Sequence, residues 1–189
     1  TSAPLSYAQT GVYFDCLKNP LSTIYNIPCL LTYPEGTDAH KLAKAASQVI
    51  SCHPEMSVYF EAQENGIIQS IASGLSIEIP VCTMSDDELA AYKKDFVRPF
   101  NLQKAPLYRF EVVQTPQTVH LLMDVHHLIF DGGSVDLFIR QISDVLEEKG
   151  VEPETYTFLD FVHDQQEAEN SEVFQKAERF FAERLQSCE

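Results

Sequence analysis

The chain has 189 residues, of which 44% are hydrophobic and 11% aromatic, a length and composition that suit one packed domain rather than a disordered segment. Its 28 Asp and Glu residues outnumber 13 Lys and Arg residues and give a net charge of −15. A field of that sign repels nucleic acid and anionic membrane surfaces, so we expect neither as a partner.

The first part of the chain predicts a helix, a strand and a second helix. A capping box at Ser6 to Gln9 opens the first helix, which we expect to end near Leu17. The run from Tyr25 to Tyr33 has the composition of a strand. A second helix is predicted from Asp38 to Cys52, because its apolar residues recur on one face.

The middle of the chain predicts three strands and a third helix. The strand-like runs are Val58 to Gln63, Ile67 to Ala72 and Ile77 to Cys82. A second capping box, Ser85 to Glu88, then opens a helix that ends before Pro99.

Two further strands and a fourth helix follow. The strands are predicted from Leu107 to Gln114 and from Val119 to Val125. The helix has Ser134 as its expected N-cap and Gly150 at the position just after its C-terminus.

The alternation of helices and strands predicts an α/β fold, a two-layer sandwich with helices packed on a mixed β-sheet. Residues 1–150 account for this unit. Residues 151–189 differ, since a polar connector leads to an acidic helical stretch, Phe158 to Gln186, with a thin apolar stripe. A helix with so little to bury is expected to pack on another surface.

Two features predict a cytoplasmic location. The N-terminal residues lack the basic and apolar regions of a signal peptide. The five cysteines are an odd number, widely spaced and without a CxxC pair, which is typical of free thiols in a reducing compartment.

A histidine pair at the end of the last predicted strand is the strongest candidate for chemistry. Side chains alternate along a strand, so His126 and His127 point to opposite faces. That geometry argues against a shared metal ion, and we expect no metal site. His127 continues the apolar face, and partial burial there would keep its imidazole neutral and able to accept a proton.

The loop after the histidines, Asp131 to Ser134, is predicted to support that role. Asp131 lies near enough to bond a backbone amide or a distant arginine. Gly132 and Gly133 permit positive φ and close approach of a ligand. A helix starting at Ser134 would direct free N–H groups, from Gly133 and Ser134, toward developing negative charge. The same residues also suit a purely structural turn and cap.

Several motifs resemble those of one enzyme family. HHLIFDG, from His126 to Gly132, matches the HHxxxDG signature of the condensation domains of nonribosomal peptide synthetases, which have a chloramphenicol acetyltransferase-like fold. PLSYAQTGVYF (Pro4 to Phe14), RPFNLQKAPLYR (Arg98 to Arg109) and YTFLDFVHDQQ (Tyr156 to Gln166) resemble further motifs of the family, in the family's order.

The resemblance implies a fold and a partner set. Residues 1–150 would form the N-terminal lobe, and residues 151–189 the connector and helix leading to a C-terminal lobe that the chain lacks. Donor and acceptor peptidyl carrier domains would present thioesters on 4′-phosphopantetheine arms, beside an adjacent adenylation domain. The chain itself would bind no cofactor directly.

The resemblance also implies an activity and roles for the motif residues. Amide bond formation between carrier-tethered aminoacyl or peptidyl thioesters would depend on His127 as the catalytic residue, either as a base or by orienting the amine. His126, Asp131 and Gly132 would support the loop. The isolated chain is expected to fold without catalysing the reaction.

Three alternatives remain open at this point. An acyl-CoA-dependent acyltransferase of the same superfamily would use a free thioester, and an epimerisation-type domain shares the histidine motif. A non-catalytic carrier-docking domain is the third, because Ser57 stands where the family usually has arginine.

Overall fold

The computed structural model describes residues 2–186, so Cys188 lies outside the described residues. The helices are α1 (Tyr7–Lys18), α2 (Ala39–Ser51), α3 (Asp86–Phe96), α4 (Gly132–Leu146), α5 (Phe158–Glu169) and α6 (Glu172–Gln186). The strands are β1 (Ser2–Pro4), β2 (Asn26–Tyr33), β3 (Val58–Gln63), β4 (Gly66–Ile71), β5 (Val81–Thr83), β6 (Tyr108–Gln114) and β7 (Val119–His126). A short 3-10 helix, Pro54–Ser57, precedes β3.

The strands form two sheets. One has the order β2-β7-β6-β5, with β5 parallel to β6 and the other pairs antiparallel; the other is the antiparallel sheet β1-β4-β3. The predicted α/β class with mixed strand directions is confirmed. The pairing of Tyr33 with Val119 and of Asn26 with His126 runs along the whole of β7, so the histidine pair lies at one end of the central strands.

The main core lies between the four-stranded sheet and helices α2 and α4. Its fully buried side chains come from both layers and include Leu42, Val49, Ile50, Val112, Leu121, Val125 and Ile142. Each such side chain contributes about 1.5–3 kcal/mol on burial. Helix α3 covers the opposite face, where Leu89 and Phe96 contact Val113 and Leu122.

A second core joins α1, the small sheet and α5. Tyr13, Phe60, Leu107, Leu128 and Leu159 are its largest buried members. Leu128 belongs to this second core, whereas Val125 belongs to the main one. The segment carrying His127 therefore crosses from one core to the other, and both cores hold it in place.

One predicted strand and the predicted C-terminal helical stretch differ in extent from the observed elements. The strand expected over Ile77 to Cys82 is confined to β5, because only its last residues pair in parallel with β6. The acidic helical stretch is divided into α5 and α6 by a break at Asn170 and Ser171, and α6 has no buried residue. Among residues 2–186, no helix has the length and apolar character needed to span a membrane.

Candidate active site

The two histidines lie on opposite sides of the end of β7, as the alternation predicts. All eight residues of β7 are buried. Leu121, Met123 and Val125 face the main core, whereas Leu122 contacts α3 residues on the other side of the sheet. His126 shares that second side, and His127 follows as an exposed residue where the strand ends.

His126 is enclosed and its hydrogen bonds fix its tautomer. Its side chain is 4% exposed, and its Nδ1 atom accepts the backbone N–H of Leu128 at 3.1 Å. The neutral ring must therefore carry its proton on Nε2, which lies 3.6 Å from the Cys16 sulfur. Burial, and to a smaller extent the electrostatic interaction with the neighbouring His127, lower the pKa of His126 to about 4.

The partial burial expected for His127 is wrong. The buried member of the pair is His126, because the second core closes over its side of the strand, while His127 is exposed. The backbone N–H of His127 donates to the Tyr25 carbonyl at 2.8 Å, which fixes the main chain and leaves the imidazole accessible. His127 lines a cavity of about 640 Å³.

Asp131, rather than Ser134, caps helix α4. Its carboxylate accepts the backbone N–H of Ser134 at 2.8 Å and the Ser134 hydroxyl at 2.7 Å, and these bonds lower the pKa of Asp131. The predicted N-cap was wrong because Gly132 and Gly133 take helical geometry as the first residues of α4, so positive φ is not used at either position.

The Asp131 cap occupies part of the anion site predicted at the N-terminus of α4. The N–H of Ser134 already has a partner in Asp131, and that carboxylate carries a full negative charge at the helix N-terminus. The Ser134 N–H is therefore already occupied in this structure, and an oxyanion role for Gly133 or Ser134 stays a prediction. The N–H of Gly133 also helps to lower the Asp131 pKa.

A buried ion pair lies beneath the site and was not predicted. Asp124, fully buried on β7, accepts from Arg109 Nη1 at 2.7 Å and from Asn26 Nδ2 at 2.9 Å.

Arg109 also donates to the carbonyls of Arg98 and Pro99 and stacks over the Phe100 ring at 3.8 Å. Phe100 in turn contacts the ring of His126 edge-on at 6.0 Å, so the network supports the buried histidine.

The cavity beside His127 has mainly apolar walls with a polar end. Its apolar wall includes Met56, Leu137 and Phe158, and Gln9 and His127 reach it from the sides. A cavity of this size and character suits an organic substrate rather than an ion.

The polar end of the cavity holds a potential metal-binding cluster, which the sequence analysis did not identify. The ligand atoms of His53, Glu55 and Glu154 lie within 4.8 Å of one another. Protein groups already pair with them: His53 Nδ1 lies 3.2 Å from Glu154 Oε2, His53 Nε2 lies 2.6 Å from Gln141 Oε1, and Glu55 accepts the N–H of Phe158. We assign the cluster to tying the connector before α5 to the segment after α2.

Comparison with known proteins identifies similar sequences. The condensation domain family model matches residues 1–189. Surfactin synthase subunit 1 of Bacillus subtilis is 27% identical over 183 residues, which are 96% of this chain and 5% of that protein. Bacitracin synthase 3 of Bacillus licheniformis is 31% identical over 158 residues, 83% of this chain and 2% of that protein. The chain thus spans a small part of these relatives.

Solved structures show the same fold. The starter condensation domain of rhizomide synthetase superposes with a TM-score of 0.83 at 21% identity, over 97% of this chain and 48% of that one. A cyclization-docking bidomain from Sorangium cellulosum gives a TM-score of 0.77 at 15% identity, over 99% of this chain and 39% of that one. The chain spans less than half the length of either structure.

Proposed function

The chain belongs to the condensation domain family, and we propose that it is the N-terminal lobe of a domain that forms amide bonds in a nonribosomal peptide synthetase. The observation that carries this proposal is His127. Its main chain is fixed by the bond to Tyr25, and its imidazole is exposed beside an apolar cavity. A fixed, accessible imidazole is what a reaction between two incoming thioesters requires.

The proposed reaction joins two carrier-bound groups. The amine of the acceptor aminoacyl thioester attacks the carbonyl carbon of the donor thioester. The C–N bond forms, the donor C–S bond breaks, and the donor carrier leaves as its thiol. His127 is the catalytic residue that accepts the amine proton or hydrogen-bonds the amine in position. His126, Asp131 and Gly132 act as its supports.

The proposed domain organisation follows from packing and length. Residues 1–150 form the lobe and residues 151–189 the connector and helix to a C-terminal lobe. Helix α6 supports this, because it has no buried residue although Val173, Phe181 and Leu185 are large apolar side chains. The comparison structures, about twice as long as this chain, have room for the second lobe.

The proposed partners follow from the reaction. Donor and acceptor carrier domains bring the substrates on 4′-phosphopantetheine arms, and an adenylation domain loads the acceptor. We place the assembly in the cytoplasm, supported by the free thiols of Cys16, Cys29, Cys52 and Cys82.

The test uses the synthetase containing this domain, with both carriers loaded, and follows the acceptor carrier by intact-mass spectrometry. We expect a mass increase equal to the donor acyl group. A control replaces the donor carrier with the same acyl group on coenzyme A. Transfer from the coenzyme A thioester but not from the loaded donor carrier would establish the acyl-CoA-dependent alternative. An unchanged mass with an inverted stereocentre would establish an epimerisation-type domain. Neither change, with both carriers still loaded, would contradict catalysis and favour a carrier-docking domain.

A further inference from the structure

Two buried glutamines form a reciprocal amide pair beneath the cavity. Gln9, on α1, donates from Nε2 to Gln69 Oε1 at 3.1 Å, and Gln69, on β4, donates from Nε2 to Gln9 Oε1 at 2.9 Å. Their side chains are 5% and 1% exposed, and both line the cavity that His127 lines. A pair this deeply buried is held in a single arrangement, because an unpaired amide there would lose its hydrogen bonds to water without replacement.

The pair links four separate segments. Gln69 Nε2 also donates to the Pro4 carbonyl at 2.8 Å, and Gln9 Oε1 also accepts the N–H of Ser6 at 3.0 Å. The remaining donor, on Gln9 Nε2, bonds the Leu128 carbonyl at 2.9 Å. Strands β1 and β4 of the small sheet, the start of α1 and the histidine segment are thereby joined through two side chains.

Gln69 and the N–H of Ser6 together determine which way the Gln9 amide points. The two bonds accepted by Gln9 Oε1, from Ser6 and Gln69, place its NH₂ group toward Leu128. The main chain of Gln69 is itself rigid, because it pairs with Ala3 on one side and with Phe60 on the other in the middle strand of the small sheet. The Leu128 carbonyl is therefore held from a fixed platform, directly after His127.

We propose that Gln69 is a positioning residue that acts through Gln9 and Leu128 on His127. This inference rests on the proposed function of His127. Gln69 lies outside every motif that indicated the family, and its side-chain hydrogen bonds go to Gln9 and Pro4 rather than to His127. Its effect is to keep the peptide unit after His127 in one place while the amine is attacking, since small displacements of a catalytic group lower the rate steeply.

The test compares Gln69→Met, which keeps the size of the side chain and removes its hydrogen bonds, with Gln63→Met at an exposed position of β3. In the synthetase with loaded carriers, we expect Gln69→Met to lower the single-turnover rate of amide formation by on the order of 10-fold to 100-fold. When the acceptor carrier is supplied as a separate protein, the carrier concentration that half-saturates the rate should not change. Gln63→Met should match the wild type in both.

A second variant separates positioning from folding. Gln9→Glu, assayed at a pH where the new carboxyl is ionised, keeps an oxygen for the N–H groups of Ser6 and Gln69, so the capping box of α1 survives. It removes the donors to Gln69 Oε1 and to the Leu128 carbonyl. We expect the same loss of rate in a protein that unfolds cooperatively. An unchanged rate in a folded Gln69→Met or Gln9→Glu protein would overturn the proposal.

A readout without catalysis distinguishes this inference from the proposed function. In the 189-residue chain, both variants should shift the imidazole Cε1–H resonance of His127 and speed hydrogen exchange at the Leu128 amide. Gln63→Met should change neither. If the wild-type synthetase forms no amide but these resonances respond, the proposed function fails while positioning stands. If the resonances do not respond, the proposed positioning role of Gln69 is contradicted, whether or not the synthetase forms the amide.

Discussion

The Nδ1 atom of His126 accepts the N–H of Leu128 at 3.1 Å, so the first histidine of the pair holds the backbone on the far side of the second. The N–H of His127 is bonded to Tyr25, and the Leu128 carbonyl to Gln9. The main chain on both sides of His127 is thus fixed, and its imidazole is left exposed beside the cavity.

Replacing His126 should lower stability. His126→Ala leaves a cavity among Cys16, Phe100 and Tyr25 and an unpaired Leu128 N–H, so we expect the free energy of unfolding to fall by about 2–4 kcal/mol. Urea denaturation of the 189-residue chain measures it. His40→Ala, at an exposed position of α2, is the control, with a change below about 0.5 kcal/mol. Equal losses for the two variants would contradict the buried role of His126.

Stability should fall on mild acidification because of the same residue. The folded pKa of His126 is about 4, against an ordinary value of 6.5. Between these pH values the unfolded chain binds a proton that the folded chain does not, so folding stability is lost as pH drops below about 6.5, reaching about 3 kcal/mol near pH 4.

The measurement is urea denaturation from about pH 7 down to about pH 5, within that window. His126→Leu removes the titrating group, so its stability should fall less steeply with pH than that of the wild type. The difference between the two curves isolates His126 from the carboxylates. Parallel curves would show that His126 does not titrate as its burial requires.

Local patterns predicted the parts of the fold that depend on neighbours in sequence. Both predicted capping boxes are present, with Ser6 bonded to Gln9 and Ser85 bonded to Glu88. The alternation along β7 correctly separated His126 from His127. These features depend on spacings of one to three residues, which a sequence displays directly.

The end of α4 shows where a local rule misled. Gly150 was expected just after the helix, but α4 ends at Leu146, and Glu148 has a positive φ of 62° before Gly150 takes its own of 79°. The N–H of Lys149 then bonds the Asp144 carbonyl at 2.8 Å, which satisfies the helix end without glycine. A glycine close to a helix end was an ambiguous indicator.

Contacts between distant residues could not be predicted. Gln9 and Gln69 are 60 residues apart, and no pattern in either segment marks one as the partner of the other. The burial of His126 likewise depends on Cys16 and Phe100, which reach it from α1 and from the loop before β6. Sequence located the catalytic candidate, and tertiary packing decided which histidine is buried.

Removing one partner of the ion pair beneath the site should lower the free energy of unfolding more than replacing both partners with apolar residues. Asp124→Ala leaves Arg109 largely buried without its partner, and we expect a loss of about 3–5 kcal/mol in the free energy of unfolding. The double variant Asp124→Leu, Arg109→Met should lose less, because no unpaired charge remains. Glu172→Gln, which removes the exposed partner of Lys176, is the control and should barely change stability. A double variant as unstable as Asp124→Ala would contradict this account.

Helix α6 should make the isolated chain self-associate. Val173, Phe181 and Leu185 are 77%, 61% and 70% exposed, and exposed apolar faces of this kind favour association. Light scattering across a concentration series should show a rising mass, reduced in Phe181→Glu, Leu185→Glu. Gln175→Glu, Gln186→Glu adds the same charge to α6 without removing apolar side chains and should associate as the wild type does. A strict monomer at every concentration would contradict the prediction.

The central claim is that His127 performs the chemistry, and the most direct test removes its imidazole alone. The synthetase containing this domain, with both carriers loaded, is followed by intact-mass spectrometry as wild type, as His127→Ala and as the exposed-site control His40→Ala. We predict that the acceptor carrier gains the donor acyl mass in the wild type and in His40→Ala, and that this product disappears in His127→Ala while both carriers stay loaded. Undiminished product from a folded His127→Ala protein would contradict the account.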